Sequence, residues 1–121
     1  MIQINSTPLS PEVVIDPRNS YIGLKGVCMP EIASAIFAPV LDNIESMLHS
    51  RGKINMSFEL RYFNSASAHY LMRIFTTIAA LRKSDVLEIE WKFDADDDDN
   101  REKGEFFSEL SGLKFKFVAL T

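Results

Sequence analysis

The stretch Tyr62-Phe63-Asn64-Ser65-Ala66-Ser67-Ala68-His69 carries the amide and hydroxyl groups with the clearest chemical use. It follows a run of alternating apolar residues and precedes a run at helical spacing, which is where a strand turns into a helix. Asn64, Ser65 and Ser67 can each cap that helix. A side-chain oxygen there accepts a backbone N–H that has no partner inside the helix. Capping alone accounts for residues of these types. A hydroxyl at the same place is also a candidate for phosphorylation. The phosphate would meet free N–H groups and the positive end of the helix dipole, and would add up to about two negative charges to the surface.

The other reactive side chains do not converge. Cys28, His49 and His69 are the soft ligands of the chain, and their wide separation makes no zinc pattern. Cys28 with either histidine lacks an orienting third group, so a nucleophilic pair is not the expected reading. Cys28 is expected as a small buried residue at a strand-to-helix turn, and His69 as a surface residue of a first helical turn. Asp94-Ala95-Asp96-Asp97-Asp98-Asp99 loosely resembles a calcium loop, with Glu105 at its twelfth position. Asp99 stands at the sixth, where the sharp turn of that loop needs glycine, and a strand rather than a helix precedes it. A solvated acidic loop that favours the next helix N-terminus is expected instead. There is no glycine-rich phosphate loop. Neither a metal nor a cofactor is expected, and the chain does not read as an enzyme.

These residues depend on elements that the hydrophobic pattern outlines. Residues 1–12 hold Pro8 and Pro11 and read as an extended lead-in. Val13-Val14-Ile15 and the alternating run from Tyr21 to Gly26 read as a β-hairpin around Asp16-Pro17-Arg18-Asn19-Ser20. Pro30-Glu31 is expected to open a first helix, proline at its first position and the acid at its positive end. Ile32, Ile36, Phe37, Val40, Leu41, Ile44, Met47 and Leu48 continue it to Arg51-Gly52, with a kink or break near Pro39. Ile54 to Phe63 is a strand with Ile54, Met56, Phe58, Leu60 and Tyr62 on one face. A second helix bears Tyr70, Leu71, Ile74, Phe75, Ile78 and Leu81, and Lys83-Ser84-Asp85 ends it. Val86, Ile89, Trp91 and Phe93 mark a strand. A short helix with Phe106, Phe107 and Leu110 ends at Gly112, and a last strand runs from Lys114 to Leu120. The order β-β-α-β-α-β-α-β predicts an α/β fold: one mixed central sheet with helices packed against it, in a single domain spanning residues 1–121.

Composition narrows the function classes. Of 121 residues, 46% are hydrophobic and 25% charged, which suits one ordinary core and argues against disorder. Lys and Arg number 13 against 17 acids, a net charge of −4. Without a basic stripe, nucleic acid and anionic membrane surfaces are poor partners. One cysteine cannot form an internal disulfide, which fits a reducing compartment. The first residues lack the basic and apolar regions of a secretory signal, and no apolar run nears the ~20 residues of a membrane helix. A cytoplasmic protein without membrane insertion is expected.

Several landmarks then fall in order. Ser6-Thr7-Pro8 lies near the start. Gly26-Val27-Cys28-Met29-Pro30-Glu31 resembles a G-x-S-Y-P-E motif, and Phe37-Ala38-Pro39-Val40-Leu41 an F-x-P-V-L motif. Tyr62-Phe63-Asn64-Ser65-Ala66-Ser67 resembles a Y-F/L-N-T/S-S-S signature. Trp91-Lys92-Phe93-Asp94, the acidic run and Gly104 resemble W-x-Y-D-x-x-D and the helix after it. Together they cover about nine-tenths of the chain. The chain thereby resembles the SiaC family of bacterial regulatory phosphoproteins, whose fold is like that of the STAS anti-sigma-factor antagonists.

The resemblance implies a phosphoacceptor directly after the asparagine of the signature. That is Ser65, with Ser67 as the backup. It implies that Asn64, Ser65, Ser67, His69, Pro30 and Glu31 contribute to partner binding. It implies a kinase of anti-sigma-factor-like ATPase fold and a PP2C-type phosphatase. It further implies that the unphosphorylated form binds and activates a diguanylate cyclase, raising cyclic di-GMP and promoting biofilm or aggregation. The alternative within the same class is an anti-sigma-factor antagonist in a partner-switching system. The chain departs from the family pattern at Cys28-Met29, where Ser-Tyr is common, and at His69, where lysine is common.

Overall fold

The computed structural model describes residues 1–81 and 87–121. Its strands are β1 (Ile2–Ile4), β2 (Glu12–Asp16), β3 (Tyr21–Cys28), β4 (Ile54–Phe63), β5 (Leu87–Asp94) and β6 (Phe115–Leu120). Its α-helices are α1 (Ala33–Arg51), α2 (Ser65–Leu81) and α3 (Asp98–Ser111). The strands form one six-stranded sheet in chain order, β1-β2-β3-β4-β5-β6. The first three pair antiparallel, and β3 to β6 pair parallel. Each helix therefore links two adjacent parallel strands that step the same way across the sheet. Crossovers of this kind are right-handed, so α1, α2 and α3 lie side by side on one face.

The strand alternation follows from that one-sided cover. Val13, Ile15, Ile22, Leu24, Ile54, Met56, Phe58, Leu60, Ile89 and Trp91 are buried under the helices. Each large side chain among them contributes about 1.5–3 kcal/mol relative to exposure. The other face carries charge: Lys25 lies 4.0 Å from Glu59, and Lys116 lies 3.9 and 4.0 Å from Glu88 and Glu90. These pairs are largely solvated and add little to stability.

Several expectations are corrected. The lead-in contains β1, which pairs with β2 and gives the sheet one strand more than the alternation signalled. After it, Thr7 and Ser10 close a turn, the Thr7 N–H donating to the Ser10 carbonyl at 2.9 Å. The first helix does not open at Pro30-Glu31. Ile32 is extended (φ −121°, ψ 97°), so the helix begins at Ala33 with no acid in its first turn. The Met29 N–H donates to the Leu9 carbonyl at 2.7 Å, which holds the chain leaving β3 against the N-terminal segment.

Pro39 does not split α1, which is continuous from Ala33 to Arg51. Proline has no N–H for the carbonyl of Ala35, and Ala35 lies on an exposed part of the helix. Gly26 does not end β3. It takes φ +123° at a register shift, where Gly26 pairs with Leu60 but Val27 with Tyr62. Arg61 is thus an extra residue in β4, and the bulge reverses the side-chain alternation after it. Tyr62 turns outward, 51% exposed, while Phe63 turns into the core. The expected helix end at Lys83-Ser84-Asp85 and strand start at Val86 lie outside the described residues.

Trp91 ties α3 to the sheet. Its indole N–H donates to Asn100 Oδ1 at 2.9 Å, and Asn100 Nδ2 donates to the Leu60 carbonyl at 2.6 Å. Asp97 caps α3 by accepting the Asn100 N–H at 3.1 Å, and Asp98 and Asp99 fill the first turn. The acidic run thus serves the positive end of α3. Gly104 faces the indole so closely that a Cβ there would stand 2.6 Å from it.

Candidate functional site

The carboxyl end of β4 leads into α2 through a single residue, Asn64. Its side chain caps the helix: Asn64 Oδ1 accepts the Ser67 N–H at 2.9 Å. Its carbonyl accepts the Ala68 N–H at 2.9 Å, and its own N–H donates to the Cys28 carbonyl at 3.1 Å on the neighbouring strand. Asparagine suits this role because it accepts at short range from a non-helical backbone.

The first turn of α2 separates the two candidate hydroxyls. Ser65 is exposed. The N–H groups of Ser65 and Ala66 have no hydrogen-bond partner among the described residues. Ser67 is fully buried, and its Oγ accepts from the Cys28 thiol at 3.3 Å. The two candidate residues are therefore not equivalent: Ser65 is exposed, and Ser67 is packed into the fold. Burial pushes the Cys28 thiol up from its ordinary range, and the hydrogen bond with Ser67 pulls it partly back.

The remaining predicted site residues divide in the same way. His69 is exposed one turn beyond Ser65, and both line a cleft of about 370 Å³ between α2 and α3. Pro30 is half-buried and Glu31 exposed in the loop after β3, beyond the Cys28 carbonyl that holds Asn64. Among the described residues no three His, Cys, Asp or Glu side chains gather as a metal set. No helix there is long and apolar enough to cross a membrane.

The cleft adds residues that the sequence does not mark as part of the site. Ala68 and Met72 of α2 face Phe106, Phe107 and Leu110 of α3 across it. Phe107 is buried, but Phe106 is 55% and Leu110 60% exposed. A second cleft of about 320 Å³, lined by Phe63, Ala68, Asp99, Glu102, Lys103, Phe106 and Phe107, adjoins the other side of Phe106. Tyr70 orients α2 from behind: its ring stacks on Phe37 of α1 at 5.3 Å and 4°. The arrangement presents one hydroxyl at the end of an apolar surface. Among the described residues no base lies within hydrogen-bond reach of Ser65.

No curated protein matches the chain. A chain from the crystal structure of the diguanylate cyclase SiaD in complex with its activator SiaC, from Pseudomonas aeruginosa, superposes with a TM-score of 0.91. It is 21% identical, over 99% of this chain and 100% of that one. The apo-SiaC structure from Pseudomonas aeruginosa gives a TM-score of 0.88 at 22% identity, over 98% of each chain. A further SiaC structure from that organism gives 0.83 at 21%, over 98% of this chain and 96% of that one. At such identities the superpositions establish the shared fold. The profile of the SiaC family regulatory phosphoproteins matches residues 4–120, and the chain belongs to that family.

Proposed function

We propose that the chain is a reversible binding switch, a single regulatory domain with Ser65 as its phosphoacceptor. In its unphosphorylated form it binds and activates a diguanylate cyclase in the cytoplasm. It acts by contact rather than catalysis. A kinase of anti-sigma-factor-like fold transfers the γ-phosphoryl group of ATP to Ser65 Oγ. The new Oγ–P bond forms as the bond to the bridging oxygen breaks, ADP leaves, and the hydroxyl proton passes to a base on the kinase. A PP2C-type phosphatase hydrolyses the ester and restores the hydroxyl.

One observation carries the reading. Ser65 is an exposed hydroxyl on the first turn of α2, and it lines the apolar cleft beside Phe106 and Leu110. A partner that covers this cleft buries Ser65 as well. A phosphate there has to be desolvated or repelled, which opposes binding. The same phosphate is tolerated by the free chain, because it sits at a helix N-terminus. The solved complex of SiaC with the cyclase SiaD supports a cyclase as the partner.

The test compares Ser65→Ala and Ser65→Asp for binding to a diguanylate cyclase of the same cell. Ser65→Ala is expected to bind like the unmodified chain. Ser65→Asp should bind at least about tenfold more weakly, a difference of ~1.4 kcal/mol. Equal binding by the two variants would rule out the switch.

A further inference from the structure

We infer that Cys28 and Ser67 form a buried hydrogen-bonded lock that positions the first turn of α2, and with it Ser65. The inference rests on the reading of Ser65 as phosphoacceptor, and it assigns to Ser67 a positioning role in place of an acceptor role.

The lock reaches α2 from a different element. Cys28 ends β3, whose backbone pairs with β4 up to the match of Cys28 with Phe63. Its thiol donates to Ser67 Oγ at 3.3 Å, and both side chains are fully buried. Among the described residues the thiol is the one hydrogen-bond partner of that hydroxyl. The same residue accepts the Asn64 N–H through its carbonyl at 3.1 Å, and Asn64 in turn accepts the Ser67 N–H at 2.9 Å. Residues 64 and 67 are thereby both fastened to residue 28. Ser65 and Ala66 lie between the fastened points.

A first helical turn needs such fastening, because its N–H groups have no intrahelical acceptors. Phosphoryl transfer to Ser65 demands a fixed acceptor oxygen, since small misplacements of a reacting group cost large factors in rate. Burial keeps the Cys28 thiol protonated and so able to donate.

The competing account is that Cys28 only fills space, as buried cysteines commonly do. The two accounts order the variants oppositely. In Cys28→Val the side chain stays apolar and gains about one methyl group of bulk, the donor is lost and the buried Ser67 hydroxyl is stranded, and in Cys28→Ser a donor remains. The experiment measures amide hydrogen exchange at Ser67 and Ala68, and the rate at which Ser65 is phosphorylated in an ATP-supplied extract of the producing cell.

The lock predicts faster exchange in Cys28→Val, on the order of tenfold, with slower phosphorylation. It predicts values near those of the unmodified chain for Cys28→Ser. Adding Ser67→Ala to Cys28→Val should bring exchange back towards the unmodified rate, because no hydroxyl is then left stranded. A tolerated Cys28→Val with an impaired Cys28→Ser would overturn the lock while leaving Ser65 as acceptor. Exchange in the expected order with no phosphate on Ser65 would overturn the acceptor reading, and with it the functional half of the inference.

Discussion

At the scale of single residues, the candidate site was legible where a side chain's role is local. Asn64 as a cap could be read from its place between an alternating run and a helical one, and Ser65 was singled out by the resemblance of the segment to the family signature. Ser67 could not be told apart from Ser65, because both are cap-type residues within one turn. What separates them is the direction of the third helical position, which points Ser67 at β3 and buries it against Cys28. That contact joins residues 39 apart in sequence.

Cys28 also makes a pH prediction at this scale. Its folded thiol is raised above the ordinary value of 9.0 because burial penalises the thiolate. The unfolded chain therefore ionises first as pH rises, and binds fewer protons than the folded chain. The stability held by the neutral thiol is present below that ordinary value and is lost as pH rises from it towards the folded value. Thermal melts of the unmodified chain should thus fall more steeply as pH rises above 9.0 than those of Cys28→Ser, which lacks the ionising group. Parallel curves for the two would contradict the assignment.

At the scale of elements, the strongly periodic segments declared themselves and the interrupted ones did not. The alternation in β4 is plain up to Leu60, after which the bulge at Arg61 exchanges the roles of Tyr62 and Phe63. No local pattern announces an extra residue in one strand of a pair. β1 was missed because three residues carry too little periodicity, and its pairing with β2 is a long-range fact. In α3 the adjacent residues Phe106 and Phe107 looked equally apolar. Asn100, Gly104 and Phe107 form the helical stripe that meets Trp91, and this leaves Phe106 and Leu110 on another stripe. The spacing from Gly104 to Phe107 was a usable signal, had the glycine been read as a contact with the tryptophan.

Gly104 tests that docking. A methyl group there stands 2.6 Å from the indole of a fully packed tryptophan. Gly104→Ala should therefore lower unfolding stability by roughly 1–3 kcal/mol despite alanine's better helix propensity. Chemical denaturation measures this. A stabilised variant would show that α3 does not bear on Trp91 as described.

At the scale of the whole molecule, chain-order strands and right-handed crossovers put α1, α2 and α3 on one face of the sheet. The α2–α3 surface is then set by the fold, while its apolar character comes from Phe106, Leu110 and Met72. An exposed residue kept for binding should be separable from one kept for stability. Phe106→Ala is expected to change unfolding stability by less than about 0.5 kcal/mol. It should weaken binding to the cyclase by more than about 1 kcal/mol. A large loss of stability with unchanged binding would assign Phe106 to the fold and remove this surface from the account.

The measurement that bears most directly on the central claim is intact mass with phosphopeptide mapping, on the chain purified from its own cell. A fraction of the chain is expected to carry one phosphate, on the peptide containing Ser65 and on that residue. A phosphate on another residue, or a phosphate-free chain in every growth condition, would contradict Ser65 as the switch.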